Sequence, residues 1–490
     1  MIIAVTTFFQ SQTNYGQLLQ SYALQQVLMK MGHYPYVIRY GFHESLRPVL
    51  SPDWPKVDEG KLQANLHISA SEGTADDRHF DDFRREHLNL STNAYNTLEE
   101  LQCFPPFADC YLTGSDQVWA QLLSKPDNGT FYLDFGLENV LRISYAPSFS
   151  LDVYPEELNS LLHENLQRFD AVSVREKTGV EICKNIGVEA AWVLDPTMLL
   201  DGDYYRLLGA ESKTNLPTHY MFVYHVNIKR DDLPCWQAVN NYNQVHGLKA
   251  IAVHANGEGQ ENIEFLDEAE YCYPAIQDWI RLIDNAEYVL TSSFHGMVFS
   301  ILLHKPFLVS LRPDSMFAGN DRVVSLLKEL GLEHRIVTCQ VDMEQQMTED
   351  INWEEVDARV DRLRRNSISY LKNALQIKGA TPDGNKDFSK WTEWISKMAG
   401  EKLAESRNQA LCTQQKMADL QQEKKNLQQE ITTLHQEREH LQQEISRYHQ
   451  DAENSSAKSA KRLKQIRKLV YVIIALFLTT ILSVIMALLK

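Results

Sequence analysis

Apolar and polar positions alternate along this chain in a strand–loop–helix rhythm. Residues 2–6 form a short apolar run, and the polar loop Asn14-Tyr15-Gly16 follows. Leu18, Leu19, Tyr22, Ala23, Leu24, Val27, Leu28 and Met31 then recur at helical spacing until Gly32 stops the pattern. Residues 36–40 read as a second strand, and this opening predicts a parallel sheet. Residues 43–79 are rich in proline, charge and small polar side chains, so they read as a surface excursion. Strand-like runs resume at 80–83, 110–113, 143–146, 171–174 and 191–194, each ending in polar residues or glycine. A second alternating unit begins near Leu216. Its predicted strands are 220–226, 249–254, 288–291 and 306–311, with a helix at 276–285 and a long amphipathic helix at 356–375.

The pattern changes after Thr381-Pro382-Asp383-Gly384. Leu420, Leu427, Leu434, Leu441 and Tyr448 occupy one heptad position, and Met417, Lys424, Ile431, Arg438 and Ile445 the other. Leucine at d with isoleucine at a predicts a parallel two-stranded coiled coil, hence a homodimer. Residues 469–489 carry no charge and are long enough to cross a hydrocarbon layer of about 30 Å as a helix. Lys461, Arg462, Lys464, Arg467 and Lys468 precede them, which predicts a tail anchor with the bulk of the chain on the cytoplasmic face of the inner membrane. The expected organisation is therefore α/β. An N-terminal Rossmann-like domain spans 1–215 and a second 216–378, followed by a linker at 379–400, a coiled coil at 401–452 and a basic flank with one transmembrane helix at 461–490.

Composition narrows the function. Of 490 residues 44% are apolar, enough for large cores, and 48 basic against 65 acidic residues give a net charge of -17. That argues against general nucleic-acid binding, which needs a basic face. Seven cysteines, at 103, 110, 183, 235, 272, 339 and 412, form no C-x-x-C pair and read as reduced thiols. Residues 1–9 are apolar but short and lack a basic flank, so they read as a first strand and not a signal peptide.

The densest chemistry lies at Thr291-Ser292-Ser293-Phe294-His295-Gly296, between the apolar runs 288–290 and 297–303. A loop that leaves a parallel strand and opens a helix sits where open α/β sheets bind ligands. The helix start offers backbone N–H groups to an anion, Gly296 permits close approach, and His295 can exchange protons near neutral pH. The alternative is a histidine that only packs there. Asp201-Gly202-Asp203 looks like a D-x-D metal motif but precedes a helical run, so it reads as a cap. His33, His43, His79 and His87 show no ligand spacing and are expected to be exposed. No metal is expected.

Six blocks occur in order: Asn14-Tyr15-Gly16-x-Leu18-Leu19-Gln20-x-Tyr22-Ala23-Leu24, Gly114-Ser115-Asp116-Gln117-Val118-Trp119, Ser144-Tyr145-Ala146-x-Ser148-Phe149, Ser173-Val174-Arg175-Glu176, Leu194-Asp195-Pro196-Thr197 and Ser293-Phe294-His295-Gly296. As a set they resemble the polysaccharide pyruvyl transferase family over roughly residues 1–375. The resemblance implies two Rossmann-like domains in a GT-B-like arrangement. It also implies transfer of a pyruvyl group from phosphoenolpyruvate to a sugar of a surface polysaccharide or its lipid-linked precursor, with no further cofactor. His295 would be the acid/base, and Ser292, Ser293 and Gly296 would lie at the donor. Arg175, at a strand end, could pair with a donor anion or with a nearby acid. Some members carry arginine at the place of Ser293, and Arg322 is the candidate replacement cation. Asn14, Tyr15, Gly16, Asp116, Gln117 and Trp119 are the acceptor candidates, with helix capping and core packing as alternatives. Asp195-Pro196 reads as a turn. Two other classes remain open: a glycosyltransferase using a nucleotide-sugar, and a non-catalytic scaffold of a polysaccharide synthesis complex.

Overall fold

The computed structural model describes residues 1–41, 78–120, 126–151, 154–226, 236–255, 266–311, 320–337 and 343–377, with helical stretches within 422–450 and at 459–488. The chain divides into two compact units, Met1–Ile395 and Ser396–Lys490.

The first unit holds two parallel sheets. Strands β1 (Ile2–Thr6), β2 (Tyr34–Tyr40), β3 (Leu90–Tyr95), β4 (Cys110–Thr113) and β5 (Leu141–Ser144) lie in the order β3-β2-β1-β4-β5. The short pair β6 (Ser173–Val174) and β7 (Ala191–Trp192) is joined to β5 by a bridge between Ile143 and Ala171. The second sheet runs β10-β9-β8-β11-β12-β13, from β8 (Tyr220–Val226), β9 (Lys249–Ala255), β10 (Ala269–Tyr271), β11 (Tyr288–Thr291), β12 (Phe307–Ser310) and β13 (Ile336–Val337). Every residue of β8 is buried, as in a parallel strand covered on both faces.

Both sheets reverse direction once, between β1 and β4 and between β8 and β11. Such switch points open crevices outside the carboxyl ends of the strands. The loops after β1, β4 and β11 carry Asn14–Gly16, Gly114–Trp119 and Ser292–Gly296. The topology thus brings the motif blocks to the mouths of the two sheets. One hydrophobic cluster runs from Ile3 and Leu112 through Tyr15 and Trp279 to Phe222 and Val309, so the two sheets share a core. The helix Trp353–Ala374 starts beyond the second sheet and returns to the first. Ser367 Oγ accepts from Leu194 N at 2.9 Å, and the Tyr370 hydroxyl donates to Ser144 O at 3.0 Å.

Two expectations change. Residues 80–83 begin the helix Phe80–His87 and are not a strand: Phe80, Phe83 and Arg84 at i, i+3, i+4 place one buried face inward. His33 and His87 are half-buried, while His79 is exposed. His43 and most of the 43–79 excursion lie outside the described residues. Among the described residues Cys110, Cys183 and Cys272 form no disulfide.

In the second unit residues 432–447 are helical, with Leu434, Arg438, Leu441 and Ile445 less exposed than most of their neighbours. Met417, Leu420, Leu427, Ile431 and Tyr448 of the expected seam lie outside the described side chains. The helix Ser459–Leu488 forms where the tail anchor was expected. Among the described residues, however, no helix is long and apolar enough to cross a membrane. The helix begins with the basic flank.

Candidate active site

His295 is fixed by three hydroxyl side chains. Thr291 Oγ1 donates to Tyr224 O at 2.7 Å and accepts from Ser293 N at 3.0 Å. Ser292 Oγ accepts from Val226 N at 3.0 Å, tying the loop to the end of β8. Ser293 is the N-cap of the helix Phe294–Leu302, and its Oγ accepts from Gly296 N at 3.3 Å. Ser292 and Ser293, expected at the donor, use these hydroxyls to hold the loop, and Gly296 its amide. A Cβ on Gly296 would lie 2.3 Å from Thr291 Oγ1, so this glycine permits close helix–strand packing.

The imidazole, 6% exposed, lies against the first turn of the helix Tyr15–Lys30. A Cβ on Gly16 would fall 2.1 Å from His295 Nδ1. Gly16, expected at the acceptor, is thus the floor under the imidazole. Gly16→Ala must push the ring aside. We expect kcat to fall about 100-fold, as for a misplacement of about 1 Å, with stability lowered by about 1–3 kcal/mol for overpacking. Steady-state kinetics beside calorimetry checks this.

Beyond His295 lies a buried charge cluster centred on Asp195. Its Oδ1 accepts from Thr197 N at 3.0 Å and Thr197 Oγ1 at 2.7 Å. Its Oδ2 accepts from Ser115 Oγ at 3.1 Å and Arg175 Nη1 at 2.9 Å. His295 Nε2 stands 3.5 Å from the same Oδ2, within ion-pair reach but beyond a formed hydrogen bond. Arg175 Nη2 also faces Asp116 Oδ1 at 3.5 Å. Asp116 adopts φ 74°, a left-handed conformation that aspartate tolerates better than most residues. The Phe294 ring lies near two guanidinium groups, Arg175 at 4.9 Å and Arg322 at 5.8 Å from its centroid. The Gln117 carboxamide, with its oxygen turned to Arg322, accepts from Nη1 at 2.7 Å and Nη2 at 3.2 Å.

These contacts set the ionisation. Burial alone would raise Asp195, but His295, Arg175 and the Thr197 donors outweigh it and hold the carboxyl well below the usual range. Burial would lower Arg175, yet Asp195, Asp116 and Glu176 raise it. Glu176 goes the other way. Burial raises it, only partly offset by Arg175, although its Oε1 accepts from Phe149 N at 2.7 Å. A carboxyl raised above its unfolded value of about 4.3 binds its proton more tightly in the native state. Its contribution is full below that value and is lost as pH rises through the folded pKa. Glu176→Gln should remove that part of the pH dependence, read from urea melts between about pH 4 and 8.

Asn14 caps the first helix, accepting from Gln17 N at 3.3 Å. Tyr15 is fully buried, stacks on Trp279 at 5.1 Å and donates to Pro274 O at 2.7 Å, so it packs in the core between the sheets. Trp119 is likewise core: it stacks on Tyr132 at 5.5 Å, and its indole N–H meets Phe131 O at 3.0 Å. Asp116 and Gln117 engage the two arginines. Asp201 caps the helix Gly202–Gly209. Among the described residues no group of three or more His, Cys, Asp or Glu side chains converges as metal ligands. Sequence reasoning missed Asp195, Phe294 and Glu176 as site residues. Asp195 does cap the turn Pro196–Leu199, as read, but its second oxygen holds the cluster.

A family model for polysaccharide pyruvyl transferase matches residues 14–314. No curated protein matches the chain. Among solved structures, a UDP-N-acetylglucosamine 2-epimerase from Rickettsia bellii aligns at 10% identity and TM-score 0.39, covering 77% of this chain and 98% of that one. The epimerase of Neisseria meningitidis bound to UDP-GlcNAc aligns at 9% and 0.37, covering 83% and 100%. The glycosyltransferase SnogD from Streptomyces nogalater aligns at 11% and 0.36, covering 76% and 98%. Similarity at this level carries no functional argument.

Proposed function

The chain belongs to the polysaccharide pyruvyl transferase family, and from that premise we propose that it moves a pyruvyl group from phosphoenolpyruvate onto a sugar of a surface polysaccharide or its precursor. The observation that carries this reading is the approach of His295 to a buried Asp195–Arg175 pair, with Arg322 also close to the Phe294 ring. A donor with a carboxylate and a phosphate needs two cations and one proton source. Arg175 and Arg322 are the cations of this proposal, Arg322 standing in for an arginine at Ser293.

The chemistry follows from the groups. His295 delivers a proton to the methylene carbon of phosphoenolpyruvate, leaving positive charge at the adjacent carbon. A sugar hydroxyl adds there and loses its proton. The carbon–oxygen bond to phosphate then breaks, orthophosphate departs, and a second hydroxyl closes the ketal. The Asp195 carboxylate steadies the protonated imidazole before transfer, and the arginines stabilise charge on the departing phosphate. The proposal also includes dimerisation through 401–452 and attachment to the cytoplasmic face of a membrane through 469–489, both resting on the sequence pattern alone.

Incubation of the full chain with phosphoenolpyruvate and sugar acceptors tests the reading. Orthophosphate released in step with ketal formation is the expected result. Release of a nucleoside diphosphate from a nucleotide-sugar, with phosphoenolpyruvate untouched, would favour a glycosyltransferase instead.

A further inference from the structure

The carboxyl ends of β8 and β9 carry a second nitrogen-rich cluster that the transfer steps do not use. His225 and His254 are register partners on these neighbouring strands, and they are only 1% and 3% exposed. Their rings lie 6.0 Å apart. His225 Nε2 meets the Tyr271 hydroxyl at 3.2 Å, and the Tyr273 ring stands 5.3 Å from that of His254. Arg78, 1% exposed, donates through Nη1 to the carbonyls of His254 at 2.7 Å and Thr13 at 3.0 Å. Its guanidinium lies 5.0 Å from the Tyr273 ring centroid. Neither ring nitrogen of His254 has a hydrogen-bond partner among the described residues, although both are buried.

An imidazole buried without a partner is unfavourable, and burying a guanidinium is more so. Burial pushes His225 down to about 4. Burial together with the Arg78 charge and His225 pushes His254 down to about 3. Both rings are therefore neutral at neutral pH. An anion arriving among them would accept from the His254 ring, face the Arg78 charge and draw protons back onto the imidazoles.

The cluster adjoins the reaction site through two segments. Residues 13–16 supply both the Thr13 carbonyl under Arg78 and the Gly16 floor under His295. The end of β8 carries His225 and, one residue on, the Val226 amide that holds Ser292. We propose that Arg78, His225 and His254 form an oxyanion subsite that takes the phosphate or diphosphate of the sugar acceptor. That choice of bearer rests on the proposed transfer, in which Arg175 and Arg322 face the donor's own anionic groups. A sugar activated for polymer assembly carries such a phosphate, and the two subsites would hold its ends apart.

The test is a titration of the full chain, labelled with carbon-13 and nitrogen-15 in its histidines, with inorganic pyrophosphate and separately with phosphoenolpyruvate. His225→Asn, His254→Asn and His295→Ala assign the signals. Pyrophosphate is expected to shift the His254 and His225 ring signals saturably toward the protonated form, also in the His295→Ala chain. Arg78→Gln should weaken that response at least tenfold, and phosphoenolpyruvate should move the His295 signal alone. Pyrophosphate that leaves the His254 signal of the native chain unmoved would overturn the subsite, and this reading needs no variant to fold. A His254 response to phosphoenolpyruvate but not to pyrophosphate would overturn its assignment to the acceptor. A His254 response to pyrophosphate, with no phosphoenolpyruvate binding anywhere, would uphold the subsite while the transfer reading fails.

Discussion

His295→Ala lowers kcat by about 10²–10⁴-fold, the range for losing a positioned proton donor, while the fold persists. The ring is buried against Gly16, but Asp195 keeps Arg175, Thr197 and Ser115 when the imidazole is removed. No buried ion is stranded, so the structural loss is confined to a small void. An acid acting in the transition state lowers kcat and kcat/KM together and leaves KM for the donor nearly unchanged. Steady-state kinetics with a thermal melt separates this from collapse. A variant that melts normally and turns over normally would remove His295 from the chemistry.

Asp195→Asn carries the largest expected stability effect. The substitution keeps an acceptor for Thr197 but removes the charge that Arg175 meets at 2.9 Å. The Arg175 side chain is 1% exposed, and Asp116 at 3.5 Å is a weaker substitute. Breaking one side of a buried pair costs about 3–5 kcal/mol, which for a unit of this size lowers Tm by roughly 4–6 °C. The pH dependence has a definite sign. Because the folded Asp195 carboxyl is held below its ordinary value, its contribution is present above the unfolded pKa of about 3.9 and is lost as pH falls below it. The gap between native and variant chains should therefore narrow in acid. Calorimetry over a pH series measures it, and a constant gap down to strongly acid pH would mean that the ion pair is not its source.

Much of this arrangement was legible in the chain. The runs at 220–226 and 288–291 are mostly apolar because parallel strands are covered on both faces, and both form as read. His295 was legible because a polar loop between a strand and a helix can occupy only the carboxyl edge of a sheet. What the chain alone leaves open shares one physical cause, dependence on partners far along the chain. Tyr15 looks like a binding aromatic until Pro274 and Trp279, more than 250 residues away, enclose it. Asp195 looks like a turn residue because one oxygen caps Thr197. Its other oxygen meets Ser115 and Arg175, from loops that sequence spacing does not connect. His225 and His254 sit inside apolar runs, where alternation marks them only as inward-facing, and their pairing appears once β8 and β9 are in register.

The central claim is that His295, backed by the Asp195–Arg175 pair, protonates the methylene carbon of phosphoenolpyruvate. The most direct measurement runs the reaction in deuterated water and examines the transferred group by mass spectrometry. A proton held on an imidazole exchanges with solvent, so the account predicts one deuterium in the methyl group of the ketal, with product formation collapsing in His295→Ala. A ketal methyl free of deuterium, or a transferred group that is a sugar, would contradict it.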